Sequence, residues 1–173
     1  MEAEKIMVAF LMIFVLASGF AQDVSKKELR EKNKIEKQHQ ADSLINSREF
    51  IFVAVRALPQ EGGSVDLTTN SNFVKFYPEN IISDMPFFGR AFSIDYGGDG
   101  GLKFEGKPSE FNVVTRKEGK GYDIKVAVSA TRDTYQLNLF VGPEGNATLT
   151  INSNQRSSIS YDGNIEKFEE PKK

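Results

Sequence analysis

Tyr122-Asp123-Ile124-Lys125-Val126-Ala127-Val128-Ser129-Ala130 is the stretch that decides the fold. Its apolar residues, Tyr122, Ile124, Val126, Val128 and Ala130, take every second position, and Asp123, Lys125, Ala127 and Ser129 fill the gaps. The same period of two returns in Tyr135, Leu137, Leu139 and Val141, set against Gln136, Asn138 and Phe140. It returns again in Ala147, Leu149 and Ile151, set against Thr148, Thr150 and Asn152. Neighbouring side chains of a strand point to opposite faces, so each segment has one face buried and one wet. The connectors Gly119-Lys120-Gly121, Pro143-Glu144-Gly145-Asn146 and Asn152-Ser153-Asn154 are turn chemistry. Short turns between adjacent strands make an antiparallel meander.

Towards the N-terminus the strand signals continue with less regularity. Phe50–Ala57 is apolar at both phases, as expected of a strand covered on both sides. Pro59 to Ser64 reads as a turn, and strands are expected at Ser64–Leu67, Phe73–Tyr77 and Arg90–Asp95. Gly97-Gly98-Asp99-Gly100-Gly101 reads as a loop, and Gly106-Lys107-Pro108-Ser109, between Glu105 and Glu110, as a turn. A single flat layer of so many strands would leave an apolar face in water. The sheet must curl into a barrel, fold into a sandwich or be covered by a helix. The chain therefore reads as mainly β: an antiparallel curved sheet, barrel-like or sandwich, over 49–167, behind an N-terminal α-helix and before a disordered tail at 168–173.

Residues 22–48 are charged, free of Gly and Pro, and read as a helix or tether. Their apolar positions are sparse, and the second half is expected to dock through Leu44 and Ile45. Upstream, Ile6 to Ala17 is an unbroken apolar run of 12 residues. As a helix it reaches about 18 Å, short of the roughly 30 Å of a bilayer core. With Ser18, Gly19, Phe20 and Ala21 following, 1–21 reads as a signal peptide cleaved between Ala21 and Gln22, although Glu2 and Glu4 outnumber Lys5 at its start. The expected location is the periplasm or outside the cell, with no stable membrane span after cleavage.

Composition excludes several chemistries. With Cys 0 there is no disulfide, no thiolate nucleophile, no Cys-ligated metal and no lipid-bearing cysteine; with His 1, at position 39, no two-histidine metal site forms within one chain. A net charge of -2 offers no basic field for nucleic acid. The glycine cluster at 97–101 fits neither phosphate-binding fingerprint, and Asp95 and Asp99 lack the further carboxylates of a calcium loop. No Gly-x-Ser-x-Gly elbow occurs, and no cofactor or metal is expected. Asn146-Ala147-Thr148 is a glycosylation triplet in form, but its place in a turn is equally explained by hairpin geometry.

Met85-Pro86-Phe87-Phe88-Gly89-Arg90 stands out, because two adjacent aromatics on a strand face opposite sides and one of them is left to solvent. Gly89 behind Phe88 would let that ring turn inward. The bland alternative is that both rings bury at a sheet corner. Met85 through Phe92, then Gly101-Leu102-Lys103-Phe104 and Arg156 through Ile165, resemble family 4251 of the domains of unknown function. The resemblance covers about residues 48 to 166 and implies a small exported protein of Bacteroidetes, with no assigned activity and no catalytic residue to carry over. Many members resemble lipoproteins, a feature that a chain without cysteine does not share.

The reading is an exported, non-enzymatic domain binding a small apolar or glycan ligand on a concave sheet face, with Phe87, Phe88, Arg90 and Tyr96 lining the site. An envelope protein–protein interaction module, using an exposed edge or the helix, is the alternative. A carboxylate-dependent hydrolase ranks third.

Overall fold

A computed structural model describes residues 26–69, 72–92, 100–131 and 133–168. The leader expected at 1–21 lies outside them, as does the expected tail apart from Phe168, whose ring packs edge-on against Tyr77 at 4.7 Å. The chain divides into two compact units, Met1–Lys37 and Gln38–Lys173. In the first, residues 26–37 are helical and exposed throughout. In the second, residues 38–47 are helical and the rest is sheet.

Among the described residues the strands are β1 (Phe50–Pro59), β2 (Val65–Asp66), β3 (Phe73–Phe76), β4 (Ile81–Met85), β5 (Leu102–Thr115), β6 (Tyr122–Ser129), β7 (Thr134–Val141), β8 (Asn146–Ser153) and β9 (Ile159–Glu166). From β3 to β9 each strand pairs with the next, always antiparallel. β1 pairs with β3 through Phe50–Val53 along one edge and with β9 along the other. Eight strands thereby close into a barrel, and β2 is an extra strand beside the far half of β1 at Arg56 and Ala57. Closure decides between the two architectures left open by the sequence.

The alternation read from the sequence holds residue by residue. Ile124, Val126, Val128, Leu137, Leu139, Val141, Ala147, Leu149 and Ile151 all face the core. Phe50, Phe52, Phe76 and Tyr161 are the largest side chains that join them there, with Phe50 and Phe76 stacked at 4.6 Å. An eight-stranded barrel is just wide enough for side chains to pack its interior. Segments beyond the strands meet the core at each end. Where β1 begins, Ala41 and Ile45 are buried and Leu44 packs beside them. There the Tyr122 hydroxyl donates to Asp42 at 2.7 Å. Where β4 ends, Phe87 and Phe88 pack on the core and the Tyr161 hydroxyl donates to the Pro86 carbonyl at 2.5 Å.

Three expectations are corrected. The outward residues of β1, Ile51, Val53 and Val55, are half-buried rather than covered, because β1 is enclosed by strands at its edges and not by layers on its faces. Gly106-Lys107-Pro108-Ser109 is no turn but the middle of β5, which pairs with β4 up to Gly106 and with β6 from Lys107, with a bulge between Pro108 and Glu110. Pro and Gly mark strand bends at barrel corners as readily as turns. Of the strand expected at Arg90–Asp95, the described part holds one isolated bridge, Ala91 to Arg156. β4 carries no clear sequence signal because Ser83 occupies an inward position, where it donates to the Leu102 carbonyl at 2.8 Å.

The β1–β9 seam slips register between Ala54 and Arg56, and Gly163 lies opposite Ala54. A Cβ on Gly163 would collide with the backbone of Val53 and Ala54. Gly163→Ala is therefore expected to cost about 3 kcal/mol in denaturant melts, the upper end of overpacking penalties. The control Gly63→Ala, with nothing within 4 Å of the added carbon, is expected to stay within about 0.5 kcal/mol.

Burial pushes the Tyr161 hydroxyl above its ordinary value of 10.0. The folded chain then keeps a proton that the unfolded chain has released, so this contribution is complete below pH 10 and is lost as pH rises above it. Tyr161→Phe, which leaves the Pro86 carbonyl without its donor, is expected to cost about 1–2 kcal/mol at neutral pH. It should also flatten the fall in stability above pH 10, read from urea midpoints across pH.

Candidate functional site

After β4 the chain crosses the end of the barrel and is tied down by main-chain bonds. Phe92 N–H donates to the Gln155 carbonyl at 2.7 Å, and Ser157 N–H donates to the Arg90 carbonyl at 2.9 Å. Arg90 N–H donates to Ser157 Oγ at 3.1 Å. The Arg90 guanidinium donates to Glu61 at 2.9 Å, an exposed pair that fixes orientation more than it stabilises.

These residues border a hollow of about 400 Å³, lined by Gln60, Glu61, Phe88, Arg90, Phe92 and Ser157. Of the four residues expected to line a site, Phe88 and Arg90 are here. Phe87 packs elsewhere, with the Arg156 guanidinium 5.1 Å from its ring centre. Arg156 also donates to the Gly100 carbonyl. Tyr96 lies outside the described residues, as do Asp95 and Asp99. The one-in, one-out expectation for the two rings does not apply, since residues 86–88 lie beyond β4 and both rings are half-buried. Gly89 makes room for Phe87, not Phe88: a Cβ there would come within 2.8 Å of the Phe87 ring and 2.6 Å of Ser157 Oγ.

Phe92 is the residue that sequence reading passed over, and it is 72% exposed. Its signal was present in the same aromatic cluster, but its neighbours Gln60, Glu61 and Ser157 come from distant segments that only the closed barrel brings together.

A second hollow, of about 440 Å³, lies on the outer face of β6, β7 and β8. Arg116 binds Asp123 through two bonds of 2.7 Å, and its guanidinium stacks 4.1 Å from the centre of the Phe140 ring. These bonds hold the Asp123 carboxyl below the usual carboxylate range and raise the Arg116 guanidinium further. Phe140 falls at an outward phase of its strand, the sequence signal that could have marked this face.

Among the described residues the carboxyls displaced from their ordinary values are all lowered: Asp66 by the Thr68 hydroxyl and amide, Glu79 by Lys107, and Asp123 by Arg116. Glu105 accepts a bond from the Asn80 amide at 2.7 Å, Glu110 is exposed beside the β5 bulge, and His39 is exposed on the helix. Among the described residues no group of three His, Asp or Glu side chains is placed to hold a metal, and no helix is long and apolar enough to cross a membrane.

The model of the domain of unknown function DUF4251 matches residues 32–165. The crystal structure of a DUF4251 family protein from Bacteroides eggerthii is similar, with a TM-score of 0.60 and 21% identity, over 76% of this chain and 87% of that one. At that identity the likeness bears on the fold alone. No curated protein matches this chain. The family match spans most of the sequence and takes in nearly the whole barrel: the protein belongs to the DUF4251 family.

Proposed function

We propose that this is an exported Bacteroidetes protein whose mature domain binds a small ligand and catalyses nothing. The ligand combines an apolar body with hydroxyl groups, as a small apolar molecule or a short glycan does, and sits in the hollow beside Phe88 and Phe92. The observation that carries this reading is the state of Phe92: 72% exposed, yet held by main-chain bonds through Arg90 and Gln155. An aromatic kept in water on a hydrogen-bonded backbone loses less ordering entropy on binding than a free one. Gln60, Glu61, Arg90 and Ser157 surround it with donors and acceptors suited to hydroxyls.

Export rests on the apolar run of 12 residues from Ile6 to Ala17 and the small residues before Gln22. The reading against catalysis rests on the sequence, which has no cysteine, one histidine and no Gly-x-Ser-x-Gly elbow. A second reading, an envelope interaction module, is favoured by Leu29 and Ile35 in the helix, 59% and 54% exposed. Crosslinking in the native envelope that is unchanged by Leu29→Glu with Ile35→Glu would remove it.

Two measurements test the main proposal. The intact mass of the protein from its native host should correspond to a chain starting at Gln22 or within a residue or two; a species retaining Met1 would refute export. Titration with octyl glucoside, which joins an alkyl chain to a sugar, should give saturable amide shifts at Gly89–Phe92 and Gln155–Ser157. Phe92→Ala should abolish those shifts while costing less than about 1 kcal/mol of stability, as an exposed substitution does. Phe87→Ala and Phe88→Ala, both half-buried, should each cost about 1–3 kcal/mol in the same melts. Shifts that persist in Phe92→Ala, or never arise, would overturn the assignment.

A further inference from the structure

The outer face of the barrel carries a second hollow, distinct from the one beside Phe92. Strand register sets its side chains in rows that run across the sheet. One row is Val114, Asp123, Phe140, Thr148 and Asp162; the next is Asn112, Lys125, Asn138, Thr150 and Ser160. All project outward, since their neighbours Ile124, Leu139, Leu149 and Tyr161 face the core. Arg116 reaches from beyond β5 to Asp123 on β6 and Phe140 on β7, and so fixes two side chains that line the groove, with Val114 on one side. Thr148 and Thr150 form the other.

The face of a sheet offers a ligand no free backbone N–H or C=O, because the ladders use them. Whatever binds here is recognised by side chains alone. Asn138 presents a half-buried amide in the groove without a protein partner among the described residues, so it has both donors and an acceptor to offer. Thr148 gives its hydrogen to Asp162 at 3.0 Å and keeps its lone pairs. Thr150 and Ser160 share one bond at 2.8 Å and together retain a donor and acceptors. Val114, 58% exposed, and the part of the Phe140 ring that Arg116 leaves open to the groove supply an apolar strip beside them.

Charge on the face is balanced, with Arg116 and Lys125 against Asp123 and Asp162, and the first pair is closed by its two short bonds. No net field draws a phosphate or a polyanion. Groups that both donate and accept, set beside an apolar strip, match a ring with hydroxyls on its rim and C–H bonds on its face. We propose that the groove over β6, β7 and β8 is a binding site for a neutral oligosaccharide, with Val114 and Phe140 against the sugar face and Asn138, Lys125 and Thr150 on its hydroxyls.

The test is titration of the purified protein with chitotetraose, cellotetraose and maltotetraose, and with tetragalacturonate as the acidic counterpart, followed by amide and Asn side-chain NMR. At least one neutral tetrasaccharide should give saturable shifts at Lys125, Asn138 and Thr150, and bind more tightly than tetragalacturonate. Asn138→Ala should weaken it by about tenfold, the loss expected for one or two hydrogen bonds, with the melting temperature unchanged. Phe92→Ala should leave it intact, which separates this site from the one at the barrel end. The assignment is overturned if no neutral tetrasaccharide shifts these residues, if the acidic one binds more tightly, if Asn138→Ala binds as well as the parent, or if the shifts map to Gly89–Phe92 instead.

Discussion

Pairing between β1 and β9, from Ile51 opposite Glu166 to Pro59 opposite Ile159, joins the first long strand to the last and closes the ring, with the two-residue β2 alone outside it. Every other strand contact is between chain neighbours or nearly so. This seam alone turns a strip into a container. It also gives one side chain in two a common interior, so Phe52, Tyr161 and Leu149 can share a core although they lie far apart in sequence. Without it the inward rows of the strip would face water, and burial of apolar area, the main favourable term in folding, would be forfeited.

The seam also accounts for where the sites lie. A filled barrel leaves recognition to its ends and its outer wall. At the end where β4 finishes, Pro86 is held by Tyr161 of β9 and Ala91 is bridged to Arg156 in the β8–β9 connection, so the crossing segment is fixed to the barrel. On the wall, the long β5 extends past its partner β4 and carries Val114 out to the edge of the hollow. Both hollows are thus made by chain that overshoots a strand pair.

Local pattern was legible where local pattern governs. Period-two alternation marked β6, β7 and β8 and the residues they bury, and the charged run before Phe50 marked a helix docking through Leu44 and Ile45. The reading failed where a tertiary demand overrode the period: Ser83 faces inward because the Leu102 carbonyl accepts its hydroxyl, and Pro108 sits in a strand because a bulge frees the ladder there. Phe88 and Arg90 stood out as an unusual cluster, but Glu61 and Ser157 joined them through pairings with no local trace. Closure itself is a property of the whole chain. No window of sequence contains both Ile51 and Glu166.

The last strand has a particular place in this order. β9 holds β8 on one edge and β1 on the other, so the final strand of the barrel supplies two interfaces at once. A chain growing from its N-terminus can form the meander from β3 to β8 as it lengthens, because each strand pairs with the one made just before it. It cannot close the ring until Ile159–Glu166 is available, when more than 100 residues must already be threaded in register. Until then Phe50, Phe52 and the inward row of β8 remain an open apolar surface, and the unfinished chain is the state most exposed to misassociation.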